Sequence, residues 1–323
     1  MKTLRCILSL LLCPAMLTLC ACAGPGSSNT DQTTTVPEET IDPTAPLCDG
    51  KTLKILAITS SFGLNTTQLL YDVAKAQGCT EVVVARLYGS GCTLQKHVEN
   101  TKTNEAYYQY TKNSNGTWET MDAATMLYGL QDEDWDIIFT QQSAARAGDL
   151  ASYGNYIDQL MAYVQANKTN PKARFVWNMT WAYQSDSTQA IFVNMFNSDQ
   201  KLQYDKIVLA TNINVVPRTD FAAIIPTGTA IQNARTSYFG DTLTKDTYHL
   251  NTLGRVIAAY TLYTKMTGQP LTQVNLTEIA KASTPDTQPL TLTDADKQVI
   301  IEAVNNAINN PYSVTQSKYP TES

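Results

Sequence analysis

The chain predicts an α/β fold, a parallel sheet of about five strands covered by helices on both faces. Two observations carry this. Short apolar runs of strand length alternate with segments whose apolar residues recur at helical spacing. About 275 residues follow the N-terminal leader and linker, enough for one large domain with a single core.

The N-terminus is read separately. Lys2 and Arg5 precede the apolar run Ile7 to Leu19, which is too short for a permanent bilayer span. Residues 1–22 therefore predict a cleaved leader. Leu19-Cys20-Ala21-Cys22 resembles a bacterial lipobox, with small Ala21 before the cysteine to be lipidated, Cys22. Residues 23–50 are rich in Ser, Thr and Pro and predict a disordered tether, which leaves 51–323 as the folded domain. Loss of the leader removes Lys2 and Arg5 and no acid, so the net charge of −6 becomes −8. That balance argues against nucleic acid as a partner.

The first strand is the run Leu53 to Ile58, followed by the polar turn Thr59-Ser60-Ser61. A helix is expected from Thr66 or Thr67 to Gly78, with Leu69, Leu70, Val73 and Ala74 on one side. The second strand, Glu81 to Leu87, runs into Tyr88-Gly89-Ser90-Gly91, where glycines let the backbone turn an amide toward a ligand. Residues 106–121 read as a polar hairpin around Asn115-Gly116 that walls a sugar site or covers the sheet. Asp136 to Thr140 is a buried strand ending in Gln141-Gln142, two adjacent amide donors. Arg174 to Asn178 and Phe221 to Pro226 supply the fourth and fifth strands, and helices fill the intervals. Near the end, Thr293 caps a periodic helix through Val299, Ile300, Val304 and Ile308.

Only two histidines exist, so imidazole chemistry must use His97 or His249. Asp246 lies three residues before His249 and can take its Nδ1 proton, leaving Nε2 as a general base. The plainer role for such a pair is to cap the following helix. A serine at the carboxyl end of the first strand sits where an α/β sheet exposes reactive groups; its plainer role is a helix N-cap. His97 is either a substrate contact or a residue of a helix face. Cys48 and Cys79 precede the first two strands and, in adjacent parallel strands, share one edge of the sheet and pair, leaving Cys92 free. A disulfide there would contribute about 3 kcal/mol in the chain-entropy treatment. No histidine or cysteine spacing matches a metal site, and no cofactor is expected.

The order of these loops, with Ser61, Gly91, Gln141 or Gln142, and Asp246-Thr247-Tyr248-His249, resembles the SGNH (GDSL-like) hydrolase superfamily. The resemblance is strongest to a bacterial lipoprotein branch classed as a domain of unknown function (DUF4886). There the serine is followed by Phe, a Gly-x-x-Leu segment leads to His, and a Trp-Asp strand ends in Gln. Phe62, Gly91 to His97, Trp135-Asp136 and Gln141 fit that pattern, across roughly residues 52–312. Two blocks depart: the superfamily's Gly-Asp-Ser reads Thr59-Ser60-Ser61, and its Gly-x-Asn-Asp block is absent.

The resemblance implies a three-layer, flavodoxin-like α/β/α sandwich and a serine esterase. Ser61 is the implied nucleophile, His249 its base and Asp246 the orienting acid. The amides of Ser61 and Gly91 with Gln141 or Gln142 would form the oxyanion hole. An envelope lipoprotein with Trp181 and Tyr183 near the mouth points to an O-acylated glycan or other small ester as substrate, acetyl foremost. The rival reading is an inactive glycan-binding lipoprotein on the same scaffold.

Overall fold

The computed structural model describes residues 45–280 and 288–321, so the leader, Cys22 and most of the tether lie outside the described residues. The strands are β1 (Thr52–Thr59), β2 (Glu81–Tyr88), β3 (Tyr108–Asn113), β4 (Trp118–Ala124), β5 (Ile137–Thr140), β6 (Arg174–Asn178), β7 (Phe221–Ile225), β8 (Glu278–Ile279) and β9 (Leu290–Thr291). The helices are α1 (Ser61–Thr67), α2 (Leu70–Ala76), α3 (Leu94–Thr103), α4 (Met126–Gln131), α5 (Tyr156–Asn167), α6 (Ala190–Phe196), α7 (Gln200–Asn214), α8 (Thr227–Arg235), α9 (Thr252–Thr267) and α10 (Asp294–Asn309).

The main sheet has seven strands in the order β4-β3-β2-β1-β5-β6-β7. Five of them, β2, β1, β5, β6 and β7, are parallel, and they are the five runs legible in the sequence. The other two are the polar hairpin, which does not cover the sheet but extends it, antiparallel, from β2. Its attachment is marked by Arg86, a buried cation on β2 held by neutral groups. Its guanidinium lies 3.5 Å over the Trp118 ring and donates to Thr111 Oγ1, Gln68 Oε1 and the Leu64 carbonyl. Burial, with a smaller contribution from Arg255, pulls its pKa down to about 9.

Strand alternation sorts the core into two layers. Leu53, Ile55 and Ala57 of β1 pack with Val84, Phe139 and Val176 against α1, α2, α8, α9 and α10. Leu56, Ile58, Ala85 and Trp177 face α3, α4 and α5. Among the parallel strands the chain runs outward from β1 to β2 and then crosses to β5 on the other side. The crevice at the carboxyl ends of β1 and β5 is therefore the switch point where such sheets bind ligands.

Residues 45–50, expected in the tether, are packed instead. Leu47 and Cys48 donate their N–H groups to the Met266 carbonyl, and Arg174 donates to the carbonyls of Ala45 and Pro46. The expected disulfide is absent: Cys48, Cys79 and Cys92 are free thiols. Cys79 Sγ donates to the Gly50 carbonyl at 3.1 Å, and burial raises the pKa of both Cys48, to about 11, and Cys79, so each keeps its proton. Among the described residues no helix is long and apolar enough to cross a membrane.

The expected first helix, from Thr66 or Thr67 to Gly78, is split: α1 leaves β1 directly at Ser61 and ends at Thr67, and α2 carries Leu70, Val73 and Ala74. The entry to α1 depends on a close approach: a Cβ built on Gly63 would stand 1.9 Å from Thr59 Oγ1 and 2.8 Å from Thr59 Cβ. Thr59, at the end of β1, is thus accommodated by the absence of a side chain one turn later. Gly63→Ala is expected to cost about 1–3 kcal/mol, measured by urea titration, and the part due to Thr59 should disappear in a Thr59→Gly background, leaving the 2.9 Å approach to Phe139 Cε1. An equal cost in both backgrounds would rule out this contact as the reason for the glycine.

Candidate active site

Four loops meet at the carboxyl edge. Ser61 is the first residue of α1 and half-buried, so its N–H lies in the turn that lacks intrahelical partners. The loop after β2 is pinned beside it, because Gly89 donates its N–H to the Thr59 carbonyl at 3.0 Å. Two residues on, Gly91 has φ +59, a left-handed conformation that favours glycine, and its position is exposed.

His249 is held twice by Asp246. Its Nδ1 lies 2.7 Å from Asp246 Oδ2, and its backbone N–H donates to Oδ1 at 2.8 Å. Burial would raise the Asp246 pKa, but the hydrogen bonds from the His249 ring and backbone outweigh it and hold the carboxyl below its usual range. With Nδ1 donating to Asp246, Nε2 is the acceptor nitrogen, and among the described residues it makes no hydrogen bond. The turn carries strain: Thr247, β-branched, sits at φ +72. It is fixed by Gln184, whose N–H donates to the Thr247 carbonyl, and by Thr247 Oγ1 donating to Ser187 Oγ.

No hydrogen bond joins Ser61 to His249. Their connection runs through neighbours: the Phe62 ring stands 6.0 Å from the imidazole, edge-on, and Asn65 on α1 accepts the Leu250 N–H at 2.8 Å. Such links are commonly loose without substrate and tighten in its complex.

The two glutamines separate cleanly. Gln142 is consumed by structure, its oxygen accepting from the N–H groups of Leu94 and Ser143 and its nitrogen donating to Ser152. It has no donor to offer. Gln141 accepts through Oε1 from Asn178 Nδ2 at 2.8 Å, while Asn178 Oδ1 accepts from Thr227 Oγ1 at 2.6 Å. That chain sets the Gln141 amide with its oxygen occupied and its NH₂ buried and unpaired. A buried donor without a partner costs roughly 1–3 kcal/mol, and at this edge an oxyanion would satisfy it.

Two expected substrate contacts, Trp181 and Tyr183, are corrected, and of the two roles open to His97 it takes the helix-face one, on α3. Trp181 is fully buried, stacked on Phe62 at 4.0 Å and 7°, and its Nε1 donates to the Tyr248 carbonyl. Tyr183 is buried against Phe192 and Tyr248. Both prop the site from behind. His97 is also fully buried, with Nδ1 2.9 Å from the Tyr108 hydroxyl and 3.5 Å from Cys92 Sγ. Burial pushes the Cys92 thiol up to about 12 and the imidazole down to about 3, so no thiolate–imidazolium pair forms there.

Sequence reading missed Asn65, Asn178, Thr227 and Tyr248, whose ring lies 4.0 Å from His249. Asn178 carried a signal, being an amide at the end of a parallel strand as Gln141 is.

Residues 54–288 match the model of the DUF4886 family, a domain of unknown function. The chain belongs to this family. A crystal structure of a DUF4886 family protein from Bacteroides uniformis ATCC 8492 shares 30% identity, covering 82% of this chain and 98% of that one, with a TM-score of 0.73. A candidate SGNH hydrolase from Slackia heliotrinireducens is 16% identical, with 67% and 100% covered and a TM-score of 0.43, a likeness too distant to assign chemistry. No curated protein matches.

His97 gives this DUF4886 domain an acid sensitivity. Folded, its imidazole stays neutral to about pH 3, whereas an unfolded histidine titrates near 6.5. The unfolded state therefore binds the extra proton, and stability present above pH 6.5 is lost as pH falls, by up to about 1.4 kcal/mol per pH unit. Urea titrations between pH 7 and 5 should show a shallower decline for His97→Phe than for the unaltered chain. Parallel declines would mean that His97 protonates in the folded state.

Proposed function

We propose that the protein is a serine esterase that removes O-acyl groups, acetyl foremost, from a carbohydrate. The observation that supports it best is the Asp246–His249 pair, with Nδ1 engaged and Nε2 unused, beside the helix that Ser61 opens. In this reading Nε2 takes the Ser61 hydroxyl proton as Oγ bonds to the ester carbonyl carbon. Negative charge gathers on the carbonyl oxygen, met by the N–H groups of Ser61 and Gly91 and by Gln141 Nε2, at about 3 kcal/mol per donor. Collapse breaks the ester C–O bond, and His249 returns the proton to the departing alcohol. Water, deprotonated by His249, then bonds to the acyl carbon, the bond to Ser61 Oγ breaks, and His249 returns the proton to Oγ as the acid leaves.

The rival reading, an inactive glycan-binding protein, draws on the absent Ser61–His249 hydrogen bond. Hydrolysis of an aryl acetate by the full chain decides between them. Ser61→Ala and His249→Ala should each nearly abolish turnover, and the double variant should be little worse, since the pair acts as one unit. Asn178→Asp should cost about 100-fold or more in kcat: a carboxylate there accepts from Gln141, turning its amide over and aiming Oε1 where a donor is needed. Turnover unaffected by Ser61→Ala would defeat the assignment.

The same proposal places the enzyme on the cell envelope through acyl chains on Cys22, with residues 23–44 as spacer. Cys22→Ser should move the protein out of the membrane fraction and remove the mass of the lipid. An unchanged mass and distribution would refute the anchor.

A further inference from the structure

Beside the oxyanion loops lies a cleft of about 320 Å³ that the reaction scheme does not use, lined by Thr93, Gln95, Arg146, Asp149, Ala151 and Ser152. Thr93 and Gln95 follow Gly91 at the start of α3, and the other four follow Gln141 after β5. Gln142 joins the two sides, accepting from Leu94 N–H and donating to Ser152. The cleft therefore sits on the two loops that carry Gly91 and Gln141, and Gln142 braces those loops against each other.

Its chemistry is polar and balanced in charge. Arg146 Nη1 donates to Asp149 Oδ2 at 2.9 Å, and Asp149 Oδ1 accepts from the Ala151 N–H, which fixes both side chains. Half of the Arg146 side chain remains exposed, with guanidinium N–H groups unspent. Gln95 Nε2 is engaged by Glu99, leaving Oε1 as an acceptor. An anion would meet the Asp149 charge beside the guanidinium, and a cation the reverse. An aryl or acyl chain would find no large apolar side chain to cover it. A ligand with adjacent hydroxyls, each both donor and acceptor, satisfies the arrangement.

We infer that this cleft is a subsite for an uncharged sugar unit next to the acylated one, with Arg146 and Asp149 bracketing a pair of its hydroxyls. The inference deepens the esterase reading and rests on it for the position of the acyl group, but binding can be measured without catalysis. Titration of full-length Ser61→Ala with neutral gluco-, xylo- and manno-oligosaccharides should give saturable binding of at least one. Arg146→Ala in that background should weaken it about tenfold, the scale of a lost hydrogen bond to a charged group. In the active chain, Arg146→Ala should raise KM for the acetylated form of that oligosaccharide by a larger factor than it raises KM for an aryl acetate.

No binding of any of the three, binding indifferent to Arg146→Ala, or tighter binding of an oligogalacturonate than of neutral sugars would each overturn the subsite. If no ester is hydrolysed but binding is lost in Arg146→Ala, the esterase reading fails and the subsite stands. If the aryl acetate is hydrolysed but the sugar results fail, the subsite alone is wrong.

Discussion

The stack of Phe62 on Trp181 holds the site together. The rings lie 4.0 Å apart and nearly parallel, both fully buried, and Trp181 Nε1 donates to the carbonyl of Tyr248. Phe62 follows Ser61 in α1, and Tyr248 precedes His249. One apolar contact with one polar tip therefore joins the element that carries the hydroxyl to the loop that carries the imidazole. Asn65 closes the same junction from one turn further along α1 by accepting the Leu250 N–H. Tyr183 fills the space between Phe62 and Tyr248, so residues that might have been surface platforms serve as the wall behind the site.

Around this stack the polar groups divide into those that are spent and those that are kept. Gln142, Asn178, Thr227 and Asn65 each meet partners inside the protein and fix loops relative to strands. Gln141 is held by its oxygen alone, and its buried nitrogen is left over. The buried hydroxyls of Ser60, Ser143 and Thr180, which follow β1, β5 and β6, are likewise without partners, so the carboxyl edge holds several unpaired polar groups rather than one. The left-handed Thr247 fits the same economy: its strain is held by Gln184 and Ser187, and it puts Asp246 where both oxygens reach His249. The cleft at Arg146 and Asp149 extends this rigid frame outward, since Gln142 braces both its sides.

Buried charge is distributed elsewhere for other reasons. Arg86 sits under the hairpin among neutral acceptors and the Trp118 face, where planar delocalised charge is tolerated better than a compact ammonium would be. It fastens β3 and β4 to the sheet on the far side of β2, away from β5 and β6. His97 and Cys92, close enough to form a pair, are instead locked in neutral forms by burial.

The sequence alone determined the five parallel strands, because each is a short apolar run bounded by turn residues, and buried parallel strands need no more than that. It also determined the Asp246–His249 pair, because two groups three residues apart in a turn are neighbours whatever the rest of the chain does. Tertiary structure decided what depends on distant residues. Two polar strands joined the sheet, because pairing with β2 and the Arg86–Trp118 contact are not local properties. Gln141 was separated from Gln142 by Asn178, 37 residues away along the chain, and by Leu94, 48 away. Thr59 was made compatible with the start of α1 by the absence of a side chain at Gly63, a contact that exists only after the strand turns into the helix. Trp181 and Tyr183 were expected at the mouth, and His97 was open between a substrate contact and a helix face, because aromatic and imidazole rings suit either a binding surface or a core. Only the packing of Phe62, Phe192 and Tyr108 against them settles that they are core.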